Sequence, residues 1–150
     1  MPWRSLEQLT FDNTYARLPE AFYAKLSPTP FASSPSVVAF NTDAALLIDL
    51  DPQEAARPEF ARLFGGGLLL SGMEPLAMLY AGHQFGVYVP QLGDGRAILL
   101  GEVVNERGGR WDLHLKGAGQ TPFSRDGDGR SVLRSAIREY LCCLAMEGLG

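Results

Sequence analysis

The 150-residue sequence is 46% hydrophobic and 20% charged, which suits one ordinary globular domain or a piece of a larger one. Seventeen glycines and ten prolines argue for many turns and against a long helical bundle. A net charge of −4 argues against non-specific binding of nucleic acid or of an anionic membrane by the chain as a whole.

The start, MPWRSLEQLTFDNTY, lacks a basic-then-apolar signal region, and no apolar run reaches the roughly 18 to 20 residues that cross a bilayer. The expectation is a soluble, cytoplasmic chain. Residues 1–35 scatter Phe11, Tyr15, Leu18, Phe22, Tyr23 and Leu26 among turn residues and end in SPTPFASSP, whose prolines forbid a helix or a central strand. They read as an extended arm that needs a surface to lie on. From Asp43 to Phe64, caps, acids and apolar residues at helical spacing are interrupted at Pro52 and Pro58, which predicts short helices ended by the glycines at 65–67.

A different grammar begins near Gly82. QFGVYVPQL, the turn GDG at 93–95, RAILLGEVV, the turn NERGGR and WDLHLK read as three strands joined by two tight hairpins. In the last strand Trp111, Leu113 and Leu115 share a core face, and Asp112, His114 and Lys116 share the face available for chemistry. After the loop GAGQTPFSRDGDGR, a helix is predicted from Ser131 to about Met146, with Leu133, Ile137, Tyr140, Leu141 and Leu144 on one stripe and Gly148 and Gly150 suiting its end. Cys142 and Cys143 are adjacent, so a mutual disulfide would be strained, and His83 and His114 lie far apart with no zinc spacing. A reducing compartment is expected.

Charge is unevenly spread. Residues 1–95 hold five basic and ten acidic side chains, whereas 96–139 hold eight basic and six acidic. The basic stretch could serve a small anionic ligand. Within it, Gly93-Asp94-Gly95-Arg96 is first of all a favoured turn, but glycine N–H groups can also approach phosphate, with Arg96 adding charge. Lys116 at a strand end is most simply a solvated side chain; the alternative is a cation held over a nucleotide, as in the small lobe of kinase-like proteins. Glu139 lies opposite the apolar stripe with no basic residue three or four positions away, so it is either solvated or partnered from outside, with Lys116 the natural candidate.

Asp126-x-Asp128-Gly129 has the beginning of a calcium loop but lacks its third oxygen ligand and has Ile137 where the glutamate should stand, which excludes that motif. Arg125, Arg130 and Arg134 around a helix start better fit an anion site. Neither a phosphate-loop nor a dinucleotide fingerprint is present, since Pro122 stands where the latter needs glycine.

AGHQFGVYVPQLGDGRAILLGEV and WDLHLKGAGQTPFSRDGDGRSVLRSAIREYL closely resemble the N-terminal part of the SelO family (selenoprotein O, also called YdiU), densely over 70–150 and more loosely over 1–69. The resemblance implies an α+β fold: a protein-kinase-like small lobe, with an antiparallel sheet and a helix equivalent to the kinase C helix, over 70–150, and an N-terminal extension with short helices over 1–69. It implies a protein adenylyltransferase that binds ATP in a flipped orientation and passes AMP to Ser, Thr or Tyr hydroxyls of protein substrates. On matching positions Gly93, Gly95, Arg96, Lys116, Asp128 and Gly129 would contact ATP, and Glu139 would orient Lys116. Asp126 departs from the family, which usually has an apolar residue there.

Family members are several times longer. The catalytic base and the ligands of Mg2+ or Mn2+ are therefore expected beyond residue 150, with the chain truncated before the large lobe and inactive by itself. UMP transfer, kinase-type phosphoryl transfer and a non-catalytic nucleotide-binding module stay open at this stage.

Overall fold

A computed structural model describes residues 3–150. Its main sheet has four antiparallel strands in the order β1 (Tyr23–Lys25), β2 (Leu76–Met78), β5 (Ala97–Val104), β6 (Arg110–Lys116). Two further strands, β3 (Gly82–Gln84) and β4 (Val87–Val89), pair only with each other. Helices α1 (Thr42–Leu47) and α2 (Pro58–Phe64) precede β2, and α3 (Leu133–Gly148) follows the sheet.

The short helices form where caps permit. The Asn41 side chain accepts hydrogen bonds from the N–H groups of Asp43 and Ala44 at the start of α1. Asp51 does the same for Gln53 ahead of a 3-10 turn over Pro52–Ala56. Pro52 and Pro58 each occupy a first-turn position, where the missing N–H has no intrahelical partner to lose. Between 43 and 64 the expected short helices are therefore present.

β5 is the centre of the molecule. Ile98, Leu100 and Val103 are buried in one cluster with Leu6, Leu9, Ile48, Leu50, Phe60 and Leu63, so residues on both sides of position 69 share a core. Leu99 faces a second cluster with Leu76 and Tyr23. The ladder with β6 shifts register between Leu99 and Gly101. Such a bulge inserts one residue, which is why Val103 rejoins the face of Ile98 and Leu100 despite its odd spacing.

The bulge also receives the N-terminal arm. A Cβ on Gly101 would stand 2.8 Å from the Asn13 Oδ1 and 2.9 Å from the Phe11 ring, so only glycine allows the approach. The Asn13 Oδ1 accepts from the Glu102 N–H (3.0 Å), and its Nδ2 donates to the Gly72 carbonyl (2.7 Å) and the Glu74 carboxylate (3.2 Å). Glu102, itself buried, accepts from the Thr14 hydroxyl and the Tyr15 N–H. The arm thus lies on the sheet, as expected, and adds β1 to it. Asn13→Ala leaves the buried Glu102 N–H without a partner and is expected to cost about 2 kcal/mol in urea unfolding.

The first of the two predicted hairpins is not formed. β4 turns back onto β3 through Phe85 and Gly86, and the neighbour of β5 on that side is β2, with Leu76 opposite Leu99. Beyond β4 the chain has Pro90, which has no N–H to donate, and then bends so that the N–H groups of Leu92 and Gly93 both reach the Tyr80 carbonyl. The second hairpin is present: Asn105 N–H bonds to the Gly109 carbonyl, and the Asn105 side chain accepts from the N–H groups of Arg107 and Gly109.

Helix α3 runs from Leu133 to Gly148, close to expectation. Its apolar stripe is not buried among the described residues; Leu133 is 61% exposed. No helix of the described residues is long and apolar enough to cross a membrane.

Candidate functional site

The loop Gly93–Arg96 leads into β5, Lys116 ends β6, and the segment 123–130 leads towards α3. Together with the β3–β4 hairpin they enclose a cleft of about 1080 Å3. Gly93, Gly95, Arg96, Lys116, Asp128 and Gly129 all line it. Glu139, on α3, stands behind them with its carboxylate 3.1 Å from the Lys116 Nζ and 3.6 Å from an Arg96 guanidinium nitrogen. The partner of Glu139 thus comes from the preceding strand, and Arg96 shares it.

Glycines at this site are imposed by chain crossings. Gly117, Gly119 and Gly129 all have positive φ (83°, 115° and 69°). A Cβ on Gly129 would run into the backbone of Gly119, and one on Gly117 would meet Ser131 at 2.6 Å. The N–H groups of Gly117 and Ala118 donate to the Arg96 carbonyl, and that of Gly119 to the Gly129 carbonyl. The Gly93 and Asp94 N–H groups are likewise engaged, by the carbonyls of Tyr80 and Met78. Those donors hold the walls together and do not point at a ligand. Among the lining glycines, no such bond is made by the N–H groups of Gly95 and Gly129, so the walls offer an anion those two donors as well as side-chain charge.

Of the three arginines around the helix start, Arg125 and Arg130 line the cleft and Arg134 does not. Arg130 donates to the Pro30 carbonyl (2.8 Å) and stands over the Phe31 ring, tying the cleft rim to the proline-rich arm. Arg125 stands over the Phe85 ring. The Asp128 side chain accepts from the Arg130 N–H and so shapes the loop, and Asp126 adds a carboxylate to the lining.

A residue not singled out in the sequence underlies the loop. Asp94 is only 6% exposed, and its carboxylate accepts from the Met78 N–H (3.1 Å), the Tyr80 hydroxyl (3.0 Å) and the His114 Nε2 (3.1 Å). Burial alone would raise its carboxyl; the bonds from His114, Met78 and Tyr80 outweigh that and hold it below the usual aspartate range. Burial, and next the bond to Asp94, push the Tyr80 hydroxyl up. Asp94 looked like one member of an Asp-Gly turn, and its one sequence signal was His114 on the non-core face of β6. Among the described residues no group of three or more His, Cys, Asp or Glu side chains gathers as a metal site.

Fold and site define an α+β protein with an antiparallel sheet and a large cleft lined by lysine and arginine, backed by one shared glutamate. The chain belongs to the SelO family: the family model described as "Protein adenylyltransferase SelO" matches residues 5–150. It is 65% identical over 146 residues to the "Protein nucleotidyltransferase YdiU" of Myxococcus xanthus, covering 97% of this chain and 30% of that protein. Proteins of the same name from Thioalkalivibrio sulfidiphilus and Thiobacillus denitrificans are 62% and 59% identical, each over 97% of this chain and 29% or 30% of their own length. The chain spans about 30% of the length of these curated relatives.

Proposed function

We propose that this chain is the ATP-binding part of a protein nucleotidyltransferase, a kinase-like small lobe that presents ATP for transfer of AMP to Ser, Thr or Tyr hydroxyls of protein substrates. The observation that carries the reading is the Lys116–Glu139 pair at 3.1 Å beside Arg96, on a cleft large enough for a nucleotide. The relatives' name, protein nucleotidyltransferase, supports the reaction class.

In that reaction the substrate hydroxyl oxygen bonds to the α-phosphorus, the bond to the β-phosphate oxygen breaks, and pyrophosphate leaves. The described residues contribute charge and placement. Lys116 and Arg96 neutralise phosphate oxygens, and Glu139 pairs with both cations and orients them. No step through a metal is assigned to the described residues. By resemblance, the metal ligands and the base that takes the hydroxyl proton belong to parts of the family outside these positions.

The test is intact-mass analysis of candidate protein substrates incubated with the complete protein, Mg2+ or Mn2+, and ATP or UTP. An AMP adduct is expected from ATP, and residues 1–150 alone are expected to yield none. A UMP adduct formed in preference would replace the nucleotide. A phosphate adduct would overturn nucleotidyl transfer in favour of kinase chemistry.

A further inference from the structure

The β3–β4 hairpin turns through Phe85 and Gly86, both with positive φ (54° and 77°). In such a two-residue turn the first position normally carries asparagine, aspartate or glycine, because a Cβ in the left-handed region crowds the next carbonyl. Gly86 meets that requirement and Phe85 does not. The ring gains nothing from the core in return, since it is 87% exposed. A bulky residue that breaks a local backbone rule without burial in exchange marks a place where another demand fixes the residue type.

Phe85 lines the same cleft as Lys116 and Arg96. The Arg125 guanidinium covers one face of its ring at 5.6 Å from the centroid. The high exposure leaves the other face for a ligand. The cleft therefore offers cations that suit phosphates and an aromatic face that suits a flat π system. A nucleoside triphosphate carries both groups on one molecule.

We propose that Phe85 is the platform on which the base of the bound nucleotide stacks, held at the cleft by a hairpin whose strained turn presents the ring. The inference rests on the nucleotide-binding reading above. Arg125, by covering one face, keeps the ring oriented and adds positive charge beside the bound nucleotide.

Equilibrium binding of ATP and of inorganic tripolyphosphate to the complete protein tests it, in wild type, Phe85→Asn and Phe85→Trp. Asparagine suits the left-handed position, so Phe85→Asn is expected to unfold thermally no earlier than wild type. It should bind ATP about tenfold more weakly while binding tripolyphosphate unchanged. Phe85→Trp should keep the ATP affinity, and ATP but not tripolyphosphate should quench the new indole fluorescence.

Unchanged ATP affinity in Phe85→Asn overturns the inference, and so does an equal loss of both ligands. A rise confined to the KM for protein substrate would give the ring to that partner and also overturns it. In each of these cases wild-type ATP binding leaves the nucleotide reading standing. Wild-type protein that binds neither ATP nor tripolyphosphate overturns both.

Discussion

Lys116→Ala is expected to lower nucleotidyl transfer by the complete protein about 100-fold or more, the usual cost of removing one preorganised donor to a charged transition state. Its stability should change little. The Lys116 side chain is 56% exposed and that of Glu139 35%, and pairs this open to solvent contribute roughly 0–1 kcal/mol. A pair so weak as a staple, placed on the cleft wall, fits a role in orienting charge. Glu139→Gln is the companion test. It leaves both cations in place but removes the anion that sets their separation, so kcat should fall about tenfold with a smaller change in the KM for ATP. The readouts are steady-state transfer kinetics and urea unfolding on the same preparations. Transfer that survives Lys116→Ala, or a loss matched by unfolding, would remove Lys116 from its assigned role.

Local signals were the legible part of the sequence. Pro52 and Pro58 broke the helical pattern into short helices, the strict alternation in 111–116 announced β6, and Glu139 without a helical partner pointed to Lys116, now 3.1 Å away. Strand pairing was less legible because it is decided between distant segments. β1 and β2 are three residues each, too short for a period to declare itself, yet they complete the sheet with β5. The Asp-Gly turn suggested a hairpin between 84–92 and 96–104, whereas the competing turn at Phe85-Gly86 captured β4 for β3. Of the glycines around the cleft, Gly93, Gly117 and Gly119 give their N–H groups to backbone carbonyls, whereas Gly95 and Gly129 make no such bond, a division invisible in a sequence because a glycine needed for close backbone approach and one with a free donor look alike. The arginines around the helix start were visible in the basic stretch, but not that Arg130 bonds to the proline-rich arm.

Asp94→Ala should cost about 3 kcal/mol, because three donors from different parts of the fold lose one buried acceptor together. They come from β2 at Met78, from Tyr80 just after it and from His114 on β6. The Asp94 N–H and carbonyl also bond to the Met78 carbonyl and the Thr121 hydroxyl, so the side chain fastens the loop that carries Arg96 and supports Thr121 ahead of 123–130. Nucleotide affinity should therefore fall along with stability.

The pH dependence separates this carboxylate from a neutral spacer. Its pKa in the folded chain is depressed by the bonds from His114, Met78 and Tyr80, so its stabilisation is fully present above the unfolded aspartate value of about 3.9 and is lost as pH falls through the folded value. Tyr15 and Tyr80, raised by burial and by Asp94, titrate far above that window. Asp12 and Glu7 are also lowered, Glu7 to about 2 chiefly by its bond from Arg57, so acid weakens the wild type from several sites at once. Asp94→Asn keeps the shape and one acceptor oxygen but removes the ionisable carboxylate. The stability gap between wild type and Asp94→Asn in urea unfolding should be narrower at about pH 3 than at about pH 5. A gap that stayed the same down to pH 3 would mean that the ionised carboxylate is not what holds the loop.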